Sequence, residues 1–109
     1  MTEHSNSDRL RGMLGLAMRA GKVVIGTETV CLSLGKRDKV KLVLIACDAS
    51  DATKKKIVTK CNFYGVAVTE VELDTSEMGR LLGKTYGPAT VAILDDGFAR
   101  EILRCAAQN

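Results

Sequence analysis

Two adjacent carboxylates, Asp95-Asp96, one histidine, four cysteines and a Gly83-Lys84-Thr85 triplet are the residues of this chain whose types suit catalysis or ligand capture. None stands in the pattern its chemistry needs. Asp95-Asp96 could serve as an acid–base or metal-holding pair. It falls instead where an apolar run meets a helical pattern, and there two acids read as caps favoured by the helix dipole. His4 lies in the polar start MTEHSNSD, with no nucleophile beside it for an imidazole base to activate. Gly83-Lys84-Thr85 lacks the glycine five positions earlier that a phosphate loop requires, and Gly12 and Gly15 fall inside a helical pattern. Cys31, Cys47, Cys61 and Cys105 form no Cys-x-x-Cys pair and sit in apolar stretches, which predicts buried thiols in a reducing compartment, with no zinc site and no disulfide framework. No metal, no cofactor and no catalysis are expected.

What remains is chemistry of the backbone. The stretch RAGKVVIGTETV, residues 19–30, sets Gly26 at a corner before a helix start, with Arg19 and Lys22 close by in sequence. A glycine corner lets another chain approach closely, the first amides of the following helix can meet a phosphate, and neighbouring cations add salt-sensitive attraction. The charge pattern agrees. The formal net charge is only +3, yet residues 1–62 carry twelve Lys and Arg against six Asp and Glu, while residues 63–109 carry four against seven. One basic face is predicted, suited to a polyanion.

The elements that must hold this corner are legible from periodicity. Leu10, Met13, Leu14 and Ala17 define one face of a helix from about Ser7 to Ala20, with Ser7 as cap and Gly21 as stop. Val23–Ile25 is a short strand, and Thr27 is placed to cap a second helix that turns Val30, Cys31 and Leu34 inward before Gly35 and the charged residues 36–39 end it. Val40–Ala46 is nearly all apolar, the mark of a central strand covered on both faces. After the turn Asp48–Asp51, a helix over Ala52–Tyr64 points Ile57, Val58, Cys61 and Tyr64 inward and Lys54, Lys55, Lys56 and Lys60 outward; those lysines are either a solvated face or part of a binding surface. Gly65 closes it. Val66–Val71 alternates as a strand near the sheet edge, with Glu70 and Glu72 toward water. Asp74 or Thr75 caps a short helix through Met78, Leu81 and Leu82, stopped at Gly83. The loop Lys84–Pro88 holds the lone proline and a Tyr86 that either stacks on a base or braces the turn. Ala89–Leu94 is a second buried strand, and Asp95-Asp96 caps a last helix bearing Phe98, Ile102 and Leu103.

At 109 residues with 46% apolar and 4% aromatic content, strands alternating with helices predict one domain folded as a three-layer α/β/α sandwich, with residues 1–6 frayed. No run approaches the length of a membrane span and no leader pattern opens the chain, so a cytosolic protein is expected.

Three segments together carry a family resemblance. LGLAMRAGKVVIGTETV, LVLIACDASDATKKKIVTKCNFYGVAV and MGRLLGKTYGPATVAILDDGFA resemble, in order and spacing, the small bacterial YlxQ-type proteins of the superfamily that includes the ribosomal proteins L-seven-Ae and L-thirty-e. The resemblance spans about residues 8–105. It implies an α/β/α sandwich on a mixed four-stranded sheet, no catalysis, and binding of RNA, in several members the kink-turn. Carried over by position, it implies an RNA face built from Lys22 to Thr29 with Leu32, then Asp48 to Ser50, then Lys84 to Ala89; with Arg19 beside the corner, the candidate contacts are Arg19, Lys22, Gly26, Thr27, Glu28, Thr29, Asp48, Ser50, Lys84, Tyr86, Gly87 and Pro88. Kink-turn binders follow the corner with Asn-Glu and place a lysine three positions after that Glu; this chain has Glu28, Thr29 and Leu32 there.

The resulting expectation is a non-enzymatic RNA-binding protein of ribosomal-protein type. It would act as a monomer on structured RNA, such as ribosomal RNA or a kink-turn, and through it meet the ribosome or other RNA-binding proteins. A protein–protein adaptor on the same fold is the alternative favoured by the lost Asn, Glu and Lys. An enzyme built on Asp95-Asp96 or the thiols is the third.

Overall fold

The computed structural model describes residues 5–107, so His4 and the first four of the six residues expected to fray lie outside the described residues, while the first helix already begins at Ser5, two residues before the expected cap Ser7. Nine elements follow one another: α1 (Ser5–Arg19), β1 (Val23–Ile25), α2 (Thr27–Leu34), β2 (Leu42–Ile45), α3 (Asp51–Tyr64), β3 (Ala67–Glu70), α4 (Thr75–Leu81), β4 (Thr90–Ile93) and α5 (Asp96–Ala107). The four strands form one mixed sheet in the order β1-β4-β2-β3. β4 runs antiparallel to both β1 and β2, pairing Val24 with Ala92 and Leu44 with Val91, while β3 lies parallel to β2 at the edge.

Side chains on successive strand residues point to opposite faces, so the continuous apolar run of β2 feeds two cores at once. Leu42 and Leu44 join Leu10, Leu14, Met78, Ile93 and Ile102 beneath α1, α4 and α5. Val43 and Ile45 join Val30, Leu34, Ile57, Cys61 and Ala92 beneath α2 and α3. The expected three-layer sandwich is therefore what forms, and both central strands are buried along their whole length. No helix among the described residues is long and apolar enough to cross a membrane.

Several expectations need correcting. On α3, Ile57 and Cys61 are buried as expected, but Val58 and Tyr64 are substantially exposed, and so is Leu103 on α5. The apolar stripe presented to a sheet is narrow, and residues one position round the helix from a buried one face outward. Of the four thiols Cys61 and Cys105 are buried, Cys31 is half-buried and Cys47 is exposed, because β2 ends at Ile45 and Cys47 has passed beyond the covered part of the strand. Burial first, and the nearby Cys31 second, pushes the Cys61 thiol up to about 11, which leaves it protonated and inert at neutral pH.

Candidate nucleic-acid interface

Strand directions decide which loops meet. Since β1, β2 and β3 point one way and β4 the other, the ends of the first three and the start of the fourth share one rim of the sheet. Backbone hydrogen bonds tie that rim together. The Gly26 amide donates to the Thr90 carbonyl at 2.9 Å, Ala46 to Ala89 at 2.9 Å, and Cys47 to Leu73 at 3.0 Å. Gly87 packs so closely on the start of α4 that a Cβ there would stand 2.6 Å from the Thr75 carbonyl oxygen. The corner before α2, the turn after β2 and the loop before β4 are thus neighbours, as the family resemblance implies. A fourth segment, Leu73–Thr75, joins them; its sequence marked a helix cap and not a part of this rim.

Gly26 makes the corner by a backbone conformation, φ 103° and ψ 140°, that a side chain would strain. It also serves as the N-cap of α2, and no side chain among the described residues caps the first turn. Val30 is the first residue of the helix whose amide bonds backward, to the Gly26 carbonyl at 2.9 Å. By helix geometry the amides of Thr27, Glu28 and Thr29 precede it without an intrahelical acceptor. Thr27 is not the expected cap: as the first helical residue it turns its hydroxyl to that of Thr90, 2.9 Å away on buried β4, and so pins the helix start to the sheet. Glu28 projects into solvent, its side chain 83% exposed, yet its carboxylate meets the Lys56 ammonium of α3 at 3.0 Å. That hydrogen bond, then the charge behind it, raises the Lys56 pKa above its usual value. A lone acid at the open helix end is thereby countered by a cation from the next helix. Thr29 is exposed, and so is Leu32 one turn further on.

The Asp48 and Ser50 side chains have structural partners. Asp48 accepts the Thr75 amide on one oxygen at 2.9 Å and the Thr75 hydroxyl on the other at 3.0 Å, closing the start of α4 across 27 positions of sequence. Ser50 caps α3 by accepting the Thr53 amide at 3.1 Å. Tyr86 is 55% exposed at the rim, Gly87 is exposed beside it, and Pro88 is buried beneath them, where it shapes the loop without reaching the surface.

Arg19, Lys22 and Lys84 do not gather at the corner. Lys22 precedes β1, and its carbonyl accepts the Leu94 amide at 2.8 Å at the opposite end of the strand pair. Four residues of extended chain, about 13 Å, separate it from Gly26. Arg19 ends α1 one turn earlier. Lys84 follows the C-terminal end of α4, its amide bonded to the Gly79 carbonyl, roughly 10 Å of helix away from Thr75. Closeness in sequence failed here because a strand and a helix intervene. The cations that do reach the rim come from α3. Besides Lys56, the Lys54 ammonium lies 3.3 Å from the Cys47 carbonyl and 3.3 Å from Glu70. Their helical spacing was visible in sequence, but which rim they face was not.

Asp95 behaves as a cap, accepting the Phe98 amide at 2.9 Å. Among the described residues no three His, Cys, Asp or Glu side chains come together in a way that could hold a metal ion.

With the geometry in place, comparison adds kinship. Residues 8–103 match the Ribosomal protein L7Ae/L30e/S12e/Gadd45 family. The chain belongs to that family. It is 42% identical over 91 residues to the RNA-binding protein YlxQ of Bacillus subtilis (strain 168), covering 84% of this chain and 88% of the relative. Against the RNA-binding protein YlxQ of Enterococcus faecium it is 37% identical over 97 residues, covering 88% and 89%. The large ribosomal subunit protein eL30 of Sulfolobus acidocaldarius is more distant, at 31% over 91 residues, covering 84% and 86%. Among solved structures, a protein of unknown function from Bacillus halodurans superposes with a TM-score of 0.84 at 31% identity, covering 92% of this chain and 98% of that one. A Giardia lamblia 15.5kD RNA binding protein superposes with a TM-score of 0.75 at 18% identity, covering 95% and 87%, a likeness of fold. The family resemblance carried by the three segments and the mixed four-stranded sandwich it implies are both borne out.

Proposed function

We propose that this protein is a non-enzymatic binder of structured RNA, ribosomal RNA being the leading class, and that the rim holding Gly26, Thr29 and Tyr86 is its contact face. One observation carries the reading: α2 opens on a glycine without a capping side chain, so its first amides point outward where a sugar–phosphate chain can pass. The names of the two YlxQ relatives support it. In this reading Gly26 admits the backbone of the RNA, the amides of Thr27, Glu28 and Thr29 donate to phosphate, and the Thr29 hydroxyl adds a donor. Tyr86 offers a face for an unstacked base. Glu28 accepts from an exposed guanine or cytosine amine, with Lys56 holding its carboxylate in place. Asp48, Ser50 and Pro88 shape the rim, and Lys22, Arg19 and Lys84 contribute long-range attraction only.

Calorimetric titration against a kink-turn RNA, an unrelated folded RNA and duplex DNA, repeated at several salt concentrations, tests this. The folded RNAs should bind at micromolar concentration or tighter, with log affinity falling linearly in log salt. Lys56→Glu should weaken binding by about tenfold, whereas Lys22→Glu should cost about twofold. Equal losses at the two lysines, or no folded RNA bound at micromolar concentration, would overturn the assignment of the rim.

A further inference from the structure

The outer face of α3 is not explained by the rim alone. Phe63 is 80% exposed, an unusual cost for a large apolar ring, and sits against Tyr64 with ring centroids 4.9 Å apart in an edge-to-face arrangement. One and two turns back along the same face stand Lys60, Thr59, Lys56 and Lys55, and together these six residues line a shallow apolar-floored groove. No carboxylate among the described residues lies within 4.0 Å of the Lys55 or Lys60 ammonium. The Lys56–Glu28 pair joins the groove directly to the open start of α2, and from Lys56 to Phe63 is two turns of helix, about 10 Å. Beyond Phe63, Tyr64 reaches over toward Gly35 and also borders the cleft where Lys36, Arg37 and Lys41 stand.

We propose that this groove takes a single-stranded extension of the RNA held at the rim, with one base stacked on Phe63 and the adjoining phosphates drawn to Lys55 and Lys60. The inference rests on the rim reading and extends it by naming the second part of the ligand. An exposed aromatic ring flanked by cations on one side of a helix is the combination that sequence-tolerant single-strand binding uses, a π-face for any base and ammonium groups for the chain that links them. A protein partner would more naturally meet an apolar ring surrounded by mixed charge. Here the charged residues that line the groove itself are all lysines, with Glu28 at its rim end held by Lys56, and Lys55 and Lys60 have no carboxylate partner among the described residues, which favours a polyanion.

The test uses a folded RNA hairpin that binds the full-length protein, prepared blunt and with a tail of about six uridines on its 5′ or its 3′ end. Fluorescence anisotropy should show that one of the two tails tightens binding by about tenfold, and that Phe63→Ala removes this gain while binding the blunt hairpin as the native protein does. Lys60→Glu should remove part of the gain. Phe63 is solvent-exposed, so its replacement should leave the melting temperature unchanged. If the blunt hairpin binds and neither tail helps, the inference falls and the rim reading stands. If no RNA of any form binds, both fall. If Phe63→Ala changes the sedimentation coefficient and leaves tail binding intact, the groove is a contact between copies of this chain and the inference falls.

Discussion

Two kinds of helix start coexist in this molecule. α3, α4 and α5 open on Ser50, Asp74 and Asp95, each accepting the amide three residues on, and α4 gains a reciprocal bond from Glu77 and a further closure by Asp48. α2 opens on Gly26 with none of this. Two of the capped starts, α3 and α4, stand on the same rim as the bare one, so position does not explain the difference. A capping side chain fills the space where an outside acceptor would sit and satisfies the donors that would draw it. The difference therefore teaches where a ligand can compete: at the single start on this rim that the chain has left without its own acceptor.

Breaking that contrast should affect Gly26 most. Gly26→Val forces a β-branched side chain into φ near 103° and should cost about 2 kcal/mol in urea unfolding, together with a loss of tenfold or more in RNA affinity. Removing a cap should do the reverse. Asp95→Ala should cost about 1 kcal/mol of stability and leave RNA affinity within twofold, because its helix starts at the opposite end of the sheet. A loss of RNA binding in Asp95→Ala without unfolding would erase the distinction between the two kinds of start. The smallest effect concerns pH. The Arg11 guanidinium 2.9 Å from Glu77, then the Asp74 amide, holds the Glu77 carboxyl below the usual glutamate range. The ionised form is thus favoured in the folded chain. Its contribution is complete above the unfolded value of about 4.3 and is lost as pH falls through the lower folded value. Glu77→Gln keeps the capping geometry without the charge, so the stability gap between native and variant protein should close as the pH drops below about 4. A gap that persists at pH 2 would show that the ion pair is not its source.

Much of the rim could be read in advance, for local reasons. A glycine before a helical pattern, Ser at a strand-to-helix junction and a Gly-Pro turn before an apolar run are short-range signals, and they locate Gly26, Ser50 and the loop at Gly87. Arg19, Lys22 and Lys84 misled because sequence proximity says nothing about which end of a strand or helix a side chain occupies. Thr27 misled for a related reason: its hydroxyl had a partner in Thr90, 63 positions away, that no local pattern announces. Asp48 carried a capping signal, but the helix it closes begins 27 positions later.

Sequence by itself determined the alternation of strands and helices, the two buried central strands, the corner at Gly26 and the kinship with its family, because periodicity, caps and turns act over a few residues. Only the tertiary structure decided that β1, β2 and β3 end on one rim, that Lys56 reaches across to Glu28, and that Phe63 is left facing water. Those outcomes depend on strand order and helix rotation, which are set by how two cores pack on opposite faces of one sheet rather than by any single stretch of chain.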